Sequence, residues 1–465
     1  MSPHSTNIDH KLPVITMSGS DPIQSQHYSP HRAKRITKTQ SHRHVKKDEP
    51  SQKMFKPILC CLVLLALVFS LVNCAPAAHC YLTGTSNAPG LRGLVLFTQN
   101  TSDLTTIVTW SLDQSTVPTA LQGKTLGFHV HEYGYIATAN STGSHFNPNG
   151  STHALPSETG VQIHAGDLGN LNLANGYSGV IVSNLLKFSG DYSLVGRAVR
   201  LHMSSDKGSG SQPTGAAGDP AAHCVIGIAN GVPNTDAFAD NYAGQLAAAV
   251  MRWTSAVNYN VTGRVVFTTG TGTVRVTGKF CGLPANSIHG LHIHQYGQLN
   301  YTDPAQVGSH WNPNNVVHGY PGNPIRHVGD LGNITADATG VATIDLIVDL
   351  VSLSGVQSIL GRAVVLHNAS DDGSNPAGNA GVRAALGIIG AAPSTASLSS
   401  PVDACVDSVP SVVVVTPVTS TVTPVASKVA NSTKTNDAAP SVHGSSWVVM
   451  CVACLAMVLM LVSHF

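Results

Sequence analysis

Histidine and aspartate recur in this chain in one fixed order, twice. The first set is His129-Val-His131, His145, His153, His164, Asp167 and His202; the second is His292-Ile-His294, His310, His318, His327, Asp330 and His367. Six histidines and one aspartate per set are enough to hold two adjacent metal ions. Imidazole suits zinc, copper and iron, and a carboxylate that completes a three-histidine set makes an ordinary tetrahedral zinc shell. Seven side chains fill two four-coordinate sites only if one is shared, so one histidine in each set must use both ring nitrogens.

A lone His-x-His carries little weight. Recurrence gives it weight: the loop histidine follows 14 residues after the pair in the first set and 16 in the second, the next follows 8 later in both, and each set continues to His-x-Gly-Asp-Leu-Gly. Histidines serving only as surface or core residues need no such order twice. Duplication alone would copy them too, but many other positions differ between the copies while all seven candidate ligands persist.

The elements that position these residues read as strands. Ile344, Leu346, Val348 and Leu350 share one side while Asp345 and Asp349 interrupt the other, and such period-2 runs with frequent Gly, Asn and Pro mark antiparallel strands. No convincing amphipathic helix stands out. Gly93-Leu-Val-Leu-Phe-Thr98 aligns with Gly263-Arg-Val-Val-Phe-Thr268, and Gly196-Arg-Ala-Val-Arg-Leu-His202 with Gly361-Arg-Ala-Val-Val-Leu-His367, so each unit is about 150 residues, a full domain. The expected units are 78–232 and 243–393, all-β, each a sandwich or barrel. Long loops are expected between His131 and Tyr177 and between His202 and Pro220. On a strand, residues i and i+2 point the same way, so His129 with His131, and His292 with His294, present paired imidazoles.

His-Val-His-Glu-Tyr-Gly, His-Phe-Asn-Pro, His-x-Gly-Asp-Leu-Gly-Asn and the strand histidine before Val-Ile-Gly-Ile-Ala resemble the copper/zinc superoxide dismutases over both repeats. The resemblance implies two tandem eight-stranded Greek-key β-barrels of the Ig-like sandwich type with long metal-binding loops. It implies copper on His129, His131, His145 and His202 and zinc on His145, His153, His164 and Asp167. In the second unit it implies copper on His292, His294, His310 and His367 and zinc on His310, His318, His327 and Asp330, one ion of each kind per unit. His145 and His310 would bridge, and Asp206 and Asp371 would link histidines of the two metals from behind. The implied reaction converts two superoxide anions to oxygen and hydrogen peroxide, with copper alternating between oxidation states and the bridging imidazole released and reprotonated.

The pattern departs in places. An arginine beside the copper guides the anion in this family; Arg383 matches it in the second unit, whereas the first has Pro220 there, next to Asp219. The second unit is therefore expected to be the active one. Arg200 shares a strand face with His202 and could reach the copper, or could be neutralised by a nearby carboxylate. The family's usual loop cysteine is absent from both units, so other bridges are expected to fix that loop.

Composition bounds the rest. The chain has 465 residues, 11% of them charged, and a formal charge of +1, which argues against a nucleic-acid binder. Residues 1–53 are basic without apolar periodicity and are expected to be disordered. Residues 54–74 have the charge, apolar core and small-residue end of a secretory signal. Either Met54 starts the chain and the signal is cleaved, or the basic segment stays cytoplasmic and the run is a signal anchor; the short core favours cleavage. Asn-x-Ser/Thr sequons at Asn100, Asn140, Asn149, Asn260, Asn300, Asn333, Asn368 and Asn431 agree with export. Residues 394–436 read as a Ser/Thr/Pro-rich stalk, and 437–465 as a glycolipid (GPI)-anchor signal with a hydrophobic tail, a short transmembrane helix being the alternative. Outside the two ends, Cys80, Cys224, Cys281 and Cys405 remain; four cysteines allow three pairings, and Cys80 with Cys224 and Cys281 with Cys405 keeps each bridge within one repeat.

Together these readings describe an extracellular enzyme held at the cell surface by a lipid anchor, with superoxide as substrate and two units that can pack on each other or dimerise. The alternative is a metal-binding or cell-surface interaction module on the same fold, with the first unit catalytically weak. Zinc-only hydrolysis is the poorest reading, because a shared imidazole and a four-histidine site have no role in it.

Overall fold

The computed structural model describes residues 75–100, 102–138, 141–231 and 241–393. The expected N-terminal extension, signal, stalk and anchor signal, with Cys405, Asn140 and Asn431, lie outside the described residues.

The period-2 runs form strands. In the first unit these are β1 (Ala77–Gly84), β2 (Arg92–Gln99), β3 (Thr106–Leu112), β4 (Thr125–His131), β5 (Asp167–Asn172), β6 (Ser178–Ser183), β7 (Ala198–His202), β8 (Pro220–Val225) and β9 (Gly227–Ile228). In the second they are β10 (Leu246–Trp253), β11 (Thr262–Thr269), β12 (Val274–Cys281), β13 (Ile288–His294), β14 (Asp330–Thr335), β15 (Ala342–Val348), β16 (Ala363–His367), β17 (Arg383–Ile388) and β18 (Gly390–Ala391). The hydrogen-bonded order is β5-β4-β7-β8-β1-β2-β3-β6, and β14-β13-β16-β17-β10-β11-β12-β15 repeats it; β9 and β18 add short pairings to β1 and β10. Pairing β6 with β3 and β7 with β4 makes the Greek-key crossovers. Both units are nearly closed, eight-stranded antiparallel barrels, and the described residues contain no α-helix.

Alternation decides which side each residue faces. On β15, Ala342 and Val348 are buried, and Thr343, Asp345 and Ile347 are exposed. Inside the first barrel Leu82, Phe97, Leu126, Phe128 and Leu171 are fully buried; inside the second, Val265, Phe267, Phe280 and Leu291 are. Each large apolar side chain removed from water contributes roughly 1.5–3 kcal/mol, which fixes the register and with it the face presented by the histidines.

Two expectations need correction. The stretch from His131 to Tyr177 is not one loop, because Asp167–Asn172 pairs with β4 as β5; Leu168 and Leu171 reach the core from it. Nor does a disulfide fix the first barrel's long loop. Cys80 and Cys224 are bonded as expected, but they are buried on β1 and β8. Cys281 is disulfide-bonded too. The loop is held instead by a buried arginine: Arg197 Nη1 donates to the Glu132 carbonyl at 2.6 Å, and its guanidinium lies 3.6 Å from the Phe146 ring centre. Arg362 does the same in the second barrel, donating to the Gln295 carbonyl at 2.5 Å and stacking 3.2 Å from the Trp311 ring centre.

Candidate metal centres

β4 and β13 each end in His-x-His, and strand alternation turns both rings to one side. The β4–β5 register shifts between Gly127 and His129, and the β7–β8 register between Leu201 and His202; β13 with β14 and β16 with β17 shift at the matching places. Such bulges re-aim side chains. The loop then returns so that His145 bridges to His131, and His310 to His294.

The outcome is two groups of four in each barrel. Nitrogens of His129, His131, His145 and His202 lie within 4.8 Å of one another, as do donor atoms of His145, His153, His164 and Asp167. His292, His294, His310 and His367 form one group in the second barrel, and His310, His318, His327 and Asp330 the other. All of these residues are buried. His145 and His310 belong to both groups of their barrel, as the shared-ligand argument requires.

Within the four-histidine groups, several of the converging nitrogens are left without partners. Among the described residues, Nδ1 of His129 and His292 and Nε2 of His131 and His202 are buried with no hydrogen bond, while Nδ1 of His153 and of His318 lies 3.0 Å from the aspartate of its own group, Asp167 or Asp330. Leaving a buried polar atom unsatisfied costs about 1–3 kcal/mol, a cost that a coordinated cation would remove. In the second barrel Nε2 of His294 and of His367 face each other at 3.4 Å. The donor set therefore fits metal ions.

Most of the opposite nitrogens are tied down. His131 Nδ1 meets the Gly143 carbonyl at 3.0 Å, His202 Nδ1 the Gly218 carbonyl at 2.7 Å, His294 Nδ1 the Gly308 carbonyl at 2.8 Å and His367 Nδ1 the Gly381 carbonyl at 3.1 Å. Asp206 accepts from His129 Nε2 and His153 Nε2, both at 2.8 Å, and so connects the two groups from behind. Asp371 accepts likewise from His292 at 2.9 Å and His318 at 3.0 Å. Partners of this kind fix tautomer and ring orientation.

Sequence reasoning missed what holds these aspartates. The Asn170 side chain accepts from the Asp206 backbone N–H at 2.8 Å and donates to its carbonyl at 3.0 Å; Asn333 makes the same two bonds to Asp371, both at 2.8 Å. The repeated Asp-Leu-Gly-Asn step was the available signal. Asn333 also heads a sequon, but its amide nitrogen is already committed to Asp371. Gly215 and Gly378 have positive φ, and a Cβ at either would stand 2.0 Å from the carboxylate of Asp206 or Asp371, so only glycine fits there.

Burial sets the charge state of the cluster. It pushes His129 down to about 3, His202 to about 4, His310 to about 4 and His367 to about 3, and holds His131 and His294 well below the usual histidine range. Neutral imidazole is the metal-binding form. Burial opposes ionisation of Asp167 and Asp330, but hydrogen bonds from the surrounding imidazoles prevail and keep both well below the usual carboxylate range. At His153 burial is likewise outweighed: bonds to Asp167 and Asp206 raise it to about 9.

Arg383 stands at the rim of the second cluster. Its guanidinium donates to the Gly308 carbonyl at 2.6 Å and the Pro304 carbonyl at 3.1 Å. The Gly308 carbonyl also receives the His294 N–H, which places the positive charge one carbonyl away from the histidine group. Pro220 takes this place in the first barrel, opposite His202 on β7.

The sequence matches the family model for copper/zinc superoxide dismutase over residues 91–226 and again over 261–389. It is 48% identical over 126 residues to superoxide dismutase [Cu-Zn] 3 of Arabidopsis thaliana, covering 26% of this chain and 76% of that protein. It is 40% identical over 142 residues to the extracellular superoxide dismutase [Cu-Zn] of Brugia pahangi, covering 28% of this chain and 70% of that one. A crystal structure of the clock protein EA4 shares 40% identity, with 32% of this chain and 96% of that chain covered and a TM-score of 0.30. Two barrels built alike, each enclosing the same buried histidine–aspartate cluster, and a family match over each, make this chain a tandem member of the copper/zinc superoxide dismutase family and an oxidoreductase of that class.

Proposed function

We propose that the chain is an extracellular superoxide dismutase with one copper and one zinc in each barrel, and that the second barrel is the faster unit. The observation that carries the ranking is Arg383, held at the rim of the second histidine cluster where the first barrel has Pro220. Copper, when bound, would be held by His292, His294, His310 and His367 and would supply one-electron chemistry, by which two superoxide anions and two protons yield oxygen and hydrogen peroxide. Zinc is assigned to His310, His318, His327 and Asp330. The first barrel is assigned the same way: copper to His129, His131, His145 and His202, zinc to His145, His153, His164 and Asp167.

The protein's own groups have separable tasks. Arg383 draws and holds the anion, since a cation at the mouth of a low-dielectric site raises local anion concentration. His310, the residue common to both groups, would carry a proton when it is released from the redox metal; its Nδ1 lies 2.9 Å from Asp330, a member of the zinc group. Asp371 keeps His292 and His318 from turning.

The two barrels are also proposed to form an internal pair. Supporting this, Gly134 N–H donates to the Ala391 carbonyl and Ala391 N–H to the Gly196 carbonyl, both at 2.8 Å; Gly297 N–H donates to the Ile228 carbonyl at 3.0 Å and Ile228 N–H to the Gly361 carbonyl at 2.8 Å. The two sets are equivalent under the repeat alignment, which is the signature of an isologous contact.

An extracellular site is supported by the signal-like segment and by the extracellular relative from Brugia pahangi. Among the described residues no helix is long and apolar enough to cross a membrane. The proposed surface attachment rests on the GPI-type tail read from sequence, which lies outside those residues. The reading without turnover, a metal-holding module, has Pro220 in its favour and is confined to the first barrel.

The test uses full-length chain loaded with both metals. His294→Ala with His367→Ala should abolish most superoxide consumption, whereas His131→Ala with His202→Ala should abolish the smaller part; equal losses would overturn the ranking. Release of the protein from cells by phosphatidylinositol-specific phospholipase C tests the anchor.

A further inference from the structure

We propose that the first barrel has its own anion-holding cation, Arg200, standing on β7 beside the histidine cluster in place of the arginine that the second barrel carries on β17. The proposal rests on the reading that the four-histidine group of the first barrel holds copper.

The strand register makes the case. Arg200 lies directly opposite His129 on β4 and directly opposite His223 on β8, and residues opposed in this way share a face of the sheet. It is also two residues from His202, on the same face by alternation. Its side chain therefore starts between two imidazoles of the cluster. The matching place in the second barrel is Val365, opposite His292 and Leu386, while the place of Pro220, opposite His202, is filled by Arg383, opposite His367. One arginine is lost from β8 and one is gained on β7, across the same strand pair.

The electrostatics agree with an exchange of position. The positive charge of Arg200 acts on His131 and His202, as that of Arg383 acts on His294 and His367. A carboxylate tempers each: Asp219 acts on Arg200, and Asp303 on Arg383. Arg200 is 6% exposed, which separates it from an ordinary solvated surface arginine. The ligand class is a small monovalent anion, drawn to the point where a buried guanidinium and the cluster meet.

The test uses the full chain carrying His294→Ala and His367→Ala, so that bound copper reports the first barrel alone. Inorganic azide is the probe, titrated while the visible absorption of copper is followed, with copper content measured on each sample. Adding Arg200→Leu should weaken azide binding about tenfold or more, Arg200→Lys should recover part of the loss, and Asp219→Asn should tighten binding. Copper present with azide affinity unchanged in Arg200→Leu would overturn the proposal. If Arg200→Leu fails to fold, unchanged affinity in both Arg200→Lys and Asp219→Asn would overturn it equally. Absence of copper from the first barrel before Arg200 is altered would overturn the underlying metal assignment, a failure distinguishable by metal content alone.

Discussion

Replacing Asp371 by asparagine keeps the shape of the side chain and removes its charge and half of its accepting capacity. The carboxylate now receives N–H donors from His292 at 2.9 Å and His318 at 3.0 Å, and the backbone N–H of Gly373 at 2.8 Å. The His292, His318 and Asp371 side chains are fully shielded from solvent. The asparagine oxygen can serve one imidazole, and its NH2 then faces the other, leaving a buried donor unpaired at a cost of about 1–3 kcal/mol. Because the two rings belong to different four-residue groups, the loss reaches both metals, and the expected fall in affinity is about 10–100-fold. The assay is competition with a coloured chelator for zinc and for copper in the full chain. The first barrel, with Asp206 untouched, serves as the internal standard. Affinities in the second barrel within about threefold of the unmodified protein would refute the argument that Asp371 orients the rings.

Other outcomes follow from the same geometry. Arg383→Ala should slow superoxide consumption and flatten its dependence on ionic strength, since a guiding charge is screened by salt; an unchanged salt profile in stopped-flow measurements would count against the guiding role. His79, buried on β1, is pushed by burial down to about 4. Between pH 6.5 and 4 the unfolded chain therefore takes up a proton that the folded chain refuses, and stability falls as pH drops through that window by about 3 kcal/mol. His79→Phe should lose that part of the acid sensitivity in denaturant titrations at pH 7 and pH 4.5, and identical pH slopes would rule the group out. Arg362→Leu removes the bond to Gln295 and the stack on Trp311, at about 1–3 kcal/mol; amide exchange along Gln295–His310 should accelerate while β11 and β12 stay protected. Stripping both metals should lower the melting temperature by mass action, about 4 kcal/mol when free metal stands a thousandfold above its dissociation constant. An unchanged transition would mean that the clusters bind no ion tightly.

Much of the site was legible before folding. Period-2 runs such as Ile344 to Leu350 announced strands, and two sets of seven ligand-type residues in one order announced metal clusters with a shared member. The supports were harder to read. Asn170 went unremarked and Asn333 stood out only as a glycosylation candidate, because their bonds run to residues 36 and 38 positions away. Nothing local in the sequence singled out Arg197 and Arg362, yet each is buried over an aromatic ring of the loop it secures. The missing loop cysteine suggested a replacement bridge, whereas a guanidinium holds the loop. Leu168 and Leu171 turned part of an expected loop into β5, since burying them against the core outweighed the loop-like glycines around them.

Composition, alternation and ligand order alone determined that this chain holds two all-β units, each with a histidine–aspartate set able to bind a pair of metals. Only the tertiary structure decided which ring nitrogen faces inward, how the two aspartates connect the groups, and that Arg200 stands opposite His129. The reason is physical. Periodicity and residue type act within a few positions of the chain, but a strand's partner and register are set by burial across the whole barrel, and a shift of one residue would turn every one of these side chains to the other face.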